Sequence, residues 1–137
     1  MRECEQLHYI RGKMMNRYMK DVILISGRVG AGKSLMVIFY ANMFASTTLF
    51  ISNENTKEEL CGKGLNQNVI VKDAININIT TFDFSHFDTV ILDFIQVFDY
   101  EWLEMLVDKL IKMDKRVIAI DQMKRDGSVY KNIFESC

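Results

Sequence analysis

The segment G-R-V-G-A-G-K-S, residues 27–34, limits what this chain can fold into more than any other part of it. It matches the pattern G-x-x-x-x-G-K-[ST], which works only between a strand and a helix. Val22-Ile23-Leu24-Ile25-Ser26 before it reads as a buried strand, and residues 35–45 after it read as a helix. Glycines let the backbone turn tightly and aim successive N–H groups at one anion, while the helix N-terminus adds partial positive charge. In such a loop Gly27, Arg28, Val29, Gly30, Ala31, Gly32, Lys33 and Ser34 wrap a phosphate chain. Lys33 reaches the β- and γ-phosphates, and the Ser34 hydroxyl holds Mg²⁺. The expected ligand is a nucleoside triphosphate, ATP, together with Mg²⁺.

The rest of the chain is compatible with such a site. Its 137 residues, 49% of them hydrophobic and 26% charged, suit one globular domain with a real core. No apolar run approaches the roughly 20 residues of a membrane span, and residues 1–20 are too polar for a secretory signal. Cys4, Cys61 and Cys137 lie far apart and form no C-x-x-C pair. Neither a zinc site nor a disulfide framework is expected, and the expected location is cytoplasmic. Charge is unevenly spread. Arg2, Arg11, Lys13, Arg17 and Lys20 outnumber Glu3 and Glu5 at the start, residues 73–108 carry acids but no Lys or Arg, and the tail is basic again. Basic ends around an acidic middle suit either a phosphate-backbone surface or plain solvated faces.

Leu7, Ile10, Met14 and Tyr18 recur at helical spacing, which predicts an amphipathic helix or arm over residues 1–20, ahead of a domain over 21–137. Within that domain, strands are expected at 22–26, 48–52, 68–71, 89–93 and 116–121. Ile75, Ile77 and Ile79 alternate with Asn76 and Asn78, the period of a half-exposed strand. Helices are expected at 34–46, 56–60 and up to about residue 114, the last with Trp102, Met105, Leu106, Leu110 and Met113 on one face. Residues 128–136 read as helical. Alternating strands and helices predict an α/β fold, a mostly parallel sheet flanked by helices. Ligands in such sheets bind beyond the carboxyl ends of the strands.

Three strand tips then carry chemistry. Asp93 closes the apolar run T-V-I-L-D, where it either serves the Mg²⁺ side of the site or caps the following turn. Glu54 follows the second strand, where a carboxylate can orient attacking water, although surface glutamates are common and Glu58 and Glu59 read as solvated. Gln122 ends V-I-A-I-D-Q, where it either donates to a γ-phosphate oxygen or forms a turn.

The order of these motifs resembles the RecA-like ATPase core of replicative DNA helicases of the DnaB type. G-R-V-G-A-G-K-S, F-I-S-N-E-N-T-K-E-E-L, L-D-F-I-Q and I-D-Q-M-K-R stand here in the family's order, and N-I-F-E-S is similar to the segment that follows them. The resemblance covers residues 22 to about 136 and implies a RecA-like P-loop NTPase core. It makes Lys33 and Ser34 phosphate and Mg²⁺ ligands, Glu54 the water-activating base, Asp93 the metal-side acid and Gln122 the γ-phosphate sensor. Arg125 falls where the family places an Arg near the DNA path, and Lys124, Arg125 and Lys131 are the expected contacts to single-stranded DNA. The implied partner is a second copy, or another protein, completing the site in trans.

The departures are specific. Residues 11–21 do not resemble the glycine-rich lead-in of these helicases, and Asp121 stands where a Ser is usual. Only 38 residues separate Glu54 from Asp93, fewer than in the full helicases. The chain ends before the strands that carry the arginine finger, which can be worth about 10³–10⁵ in rate. A slow ATPase is therefore the expected activity. D-F-I-Q-V-F and K-R-V-I-A-I-D are also similar to segments of thymidine kinases, but Phe94 stands where their catalytic Glu belongs. Nucleoside kinase and non-hydrolysing nucleotide switch are the alternative readings.

Overall fold

The computed structural model describes residues 22–27, 33–93, 95 and 98–122. The expected helices over residues 1–20 and 128–136 lie outside them. Among the described residues five strands form one sheet in the order β1-β5-β4-β2-β3, and every described pairing is parallel. The strands are β1 (Val22–Gly27), β2 (Thr48–Ser52), β3 (Ile70–Lys72), β4 (Thr89–Asp93) and β5 (Arg116–Gln122). Three α-helices join them: α1 (Lys33–Met43), α2 (Lys57–Gly62) and α3 (Tyr100–Lys112). The fold is α/β.

Parallel strands buried on both faces are continuous apolar runs rather than alternating ones, and β2 and β4 are buried at every position. Their side chains still alternate between faces. Leu49, Ile51, Val90, Leu92, Val117 and Ala119 enter one core with Leu103, Leu106, Val107 and Leu110 of α3. Phe50, Ile91, Ile118 and Ile120 enter the other with Val37, Ile38 and Ala41 of α1 and Leu60 of α2. The chain moves from β1 through α1 to β2 and through α2 to β3, then reverses through residues 73–88 to β4 and through α3 to β5. Crossovers of one hand must change face when direction reverses, and the two cores divide the connections in that way.

Local chemistry sets the helix ends. Asp99 caps α3 by accepting the Trp102 N–H at 3.0 Å, with Glu101 in the first turn and Lys109 and Lys112 in the last, the signs that suit the helix dipole. Asp114, at φ 62°, turns the chain out of α3 in the left-handed region. Thr56 caps α2: its hydroxyl accepts the Glu59 N–H at 3.2 Å, and the Glu59 carboxylate accepts the Thr56 N–H at 3.0 Å. These bonds hold the exposed Glu59 carboxyl below its ordinary value. Glu59 is therefore the return half of a capping box, not simply a solvated charge.

Two expectations fail for physical reasons. Residues 74–79 form no strand: Ala74–Asn76 is a 3-10 turn, held where Asn76 Nδ2 donates to Asp73 Oδ1 at 2.6 Å. Asn78 Oδ1 accepts the Thr80 N–H at 3.0 Å. Asp and Asn side chains bonding to nearby groups override the alternation, so Ile75 stands 90% exposed while Ile77 and Ile79 are buried. On α3 the apolar face is rotated from the expected one. Leu103, Leu106, Val107 and Leu110 are buried, whereas Met105 is exposed and Trp102 half-buried. Each fully buried side chain of this kind contributes about 1.5–3 kcal/mol, and branched residues won over methionines for the face against β4 and β5.

Candidate functional site

The strand order fixes where a ligand has room. The connection leaving β4 runs toward β5 and that leaving β2 runs toward β3, so the two part at the carboxyl ends of β2 and β4. In parallel sheets this divergence opens a crevice. Ser52 ends β2 and Asp93 ends β4, and the two are paired across the ladder. Ser52 lies two residues beyond Phe50 and Asp93 two beyond Ile91, so both face the side of the sheet covered by α1.

β1 ends at Gly27 and α1 begins at Lys33, so the strand before the glycine segment and the helix after it are both present. Gly27 is in register with Gln122, and Ser26 with Asp121. Leu24 aligns with Ala119, Ala119 with Leu92, and Leu92 with Ile51, one row across the sheet. The end of β4 is thus two strands from β1, about 10 Å at ordinary strand spacing. The backbone ends at Gly27, Gln122, Asp93 and Ser52 all belong to one edge, and α1 starts from it. Residues 28–32, the side chains of Lys33, Ser34 and Gln122, and Lys124, Arg125 and Lys131 lie outside the described residues.

Asp93, 2% exposed, is the buried charge of this edge among the described residues. Burial pushes its carboxyl up from the ordinary carboxylate value; hydrogen bonds from Ser52 and Asn55 oppose that rise, Lys63 opposes it further, and the Glu54 charge adds to it. Ser52 Oγ donates to Asp93 Oδ2 at 2.8 Å, and Asn55 Nδ2 donates to the same oxygen at 3.1 Å. Among the described residues no donor reaches Oδ1. The Ser52 hydroxyl also accepts the Glu54 N–H at 3.3 Å and the Asn55 N–H at 3.1 Å. The Glu54 carboxylate itself is exposed to solvent. Asn53 Oδ1 accepts the Ala74 N–H at 2.8 Å, tying the tip of β2 to the turn after β3.

Sequence reasoning singled out Asp93 and Glu54, and the fold brings them to neighbouring strand tips. It missed Ser52 and Asn55, which flank Glu54 and hold Asp93. The available signal was a hydroxyl closing the apolar run T-L-F-I-S, where a buried small polar side chain requires a partner on the neighbouring strand.

Among the described residues no three His, Cys, Asp or Glu side chains come together, so no all-protein metal cage exists there. Mg²⁺ does not need one. It keeps several waters and takes one or two protein oxygens beside substrate phosphates, and a buried carboxylate with one oxygen that no described residue occupies fits that role. No described helix is long and apolar enough to cross a membrane. Neither a protein-family model nor a curated protein sequence matches the chain.

Proposed function

We propose that this chain binds ATP with Mg²⁺ at the carboxyl edge of its sheet and hydrolyses it slowly, as a helicase-like component of DNA replication or recombination. The observation that carries the reading is the buried Ser52–Asp93 pair, at the carboxyl tips of the neighbouring strands β2 and β4 and on the side of the sheet covered by α1. A buried carboxyl shifted upward by desolvation at a strand tip is the kind of group that functional sites collect. The motif order that resembles RecA-like helicase cores supports the same assignment.

On this reading the backbone of residues 27–34 cradles the phosphates, with Lys33 against the β- and γ-oxygens. Asp93 and Ser34 hold the cation side, and Mg²⁺ when bound draws charge from the phosphate oxygens. Glu54, exposed beside Asp93, orients the attacking water and takes its proton. Gln122, in register with Gly27, senses the γ-phosphate. Lys124, Arg125 and Lys131 contact single-stranded DNA, and a neighbouring subunit supplies an arginine to the γ-phosphate.

The test is binding of a fluorescent ATP analogue with Mg²⁺, followed by steady-state ATP turnover with and without single-stranded DNA. Lys33→Ala abolishes binding, and Glu54→Gln keeps binding while removing turnover. A wild-type chain that binds no nucleotide overturns the proposal. Binding with no turnover, unchanged in Glu54→Gln, makes the protein a switch, and transfer of phosphate to thymidine makes it a kinase.

A further inference from the structure

We infer that Ser52 and Asn55 are positioning residues for Asp93, anchoring its Oδ2 so that Oδ1 alone is offered to the cation side; this rests on the nucleotide reading above. A hydroxyl has one proton to donate and two lone pairs. The Glu54 and Asn55 N–H groups occupy the lone pairs of Ser52, and its proton is directed to Asp93 Oδ2. The Asn55 amide brings a second donor to the same oxygen. Oδ2 is thereby committed to the protein, and Oδ1 has no partner among the described residues.

One side chain holds the metal-side acid and the backbone of Glu54 in a common frame, so loss of Ser52 loosens both groups at once.

The experiment compares the wild type with Ser52→Ala, Ser52→Thr and Asn55→Ala. The first readout is the Mg²⁺ concentration that half-saturates binding of the fluorescent ATP analogue, taken across pH, with Mg²⁺-free binding in chelator as reference. The second is the Asp93 carboxyl titration followed by carbon NMR in the absence of nucleotide, assigned with Asp93→Asn. Ser52→Ala and Asn55→Ala each raise the Mg²⁺ requirement about 10- to 100-fold, the usual effect of removing a group that orients a metal ligand. Mg²⁺-free binding stays unchanged, and Ser52→Thr, which keeps the hydroxyl, restores most of the loss. Ser52→Ala also moves the carboxyl titration upward.

An unchanged Mg²⁺ requirement in Ser52→Ala overturns the inference, as does a folded Ser52→Thr no better than Ser52→Ala. A wild type that binds no nucleotide sinks the nucleotide reading instead. The carboxyl titration then still decides the arrangement around Asp93, and an unmoved midpoint in Ser52→Ala overturns that too.

Discussion

Asp93 makes the protein less stable as pH rises, and Asp93→Asn exposes the effect. The carboxyl is buried and held above its ordinary value of 3.8. Between that value and the raised one, the native state keeps a proton that the unfolded chain has released. Stability from this group is therefore complete below the ordinary value and lost as pH climbs through the raised one. The steepest slope one group can impose is about 1.4 kcal/mol per pH unit. Glu59 and Asp83 have lowered values, so their contributions are complete above 4.5 and 3.8 and are lost only as pH falls below those values; both cancel when wild type is compared with the variant. The assay is urea unfolding of wild type and Asp93→Asn at closely spaced pH values from 4 upward. The wild-type stability, measured relative to the variant, falls with pH inside the window and is flat beyond it. Any fixed cost of placing an amide at this position cancels in that comparison. A difference that stays level, or rises with pH from 4, would refute the reasoning, because it would mean that the folded protein prefers the anion.

Thr56→Ala removes the hydroxyl half of the α2 capping box and costs about 1 kcal/mol in urea unfolding; an unchanged midpoint would show that the box carries no weight. Ile75→Lys shifts stability by no more than about 0.5 kcal/mol, whereas Ile77→Ala costs about 2–5 kcal/mol, because one residue is exposed and the other sits in the core. Similar losses at both positions would favour the abandoned strand. Gly64→Ala, at φ 108° with open space around it, is destabilising through backbone strain alone; thermal melting with no loss would count against that turn.

The strands were readable because burial on both faces leaves an unbroken apolar run, as in T-L-F-I-S and T-V-I-L-D, closed by a polar residue. That closing residue also marked Asp93. What the chain hides is pairing across the sheet. Nothing in the one-dimensional order says that Ser52 faces Asp93, since the partners are fixed by β2 and β4 becoming neighbours. The Thr56–Glu59 box was legible in T-K-E-E as a Thr followed three residues later by Glu, but the glutamates read more simply as surface charge. Ile75, Ile77 and Ile79 misled because short-range bonds from Asp73 and Asn78 outweighed a period of two. On α3, Trp102 and Met105 fit the same helical period as the true core face, and only packing against β4 and β5 separates them from Leu103 and Val107.

One feature of the sheet order bears on how the protein reaches its native state. β1 lies at the edge, and its described neighbour is β5, which pairs Val22 with Val117 and Gly27 with Gln122. The strand that leads into the glycine segment therefore waits for the most distant of the described strands before it is secured. Loop-closure entropy makes such remote pairing slow. In refolding, β2, β4 and their helices consolidate first, and β1 is the last of the described strands to acquire protection from hydrogen exchange.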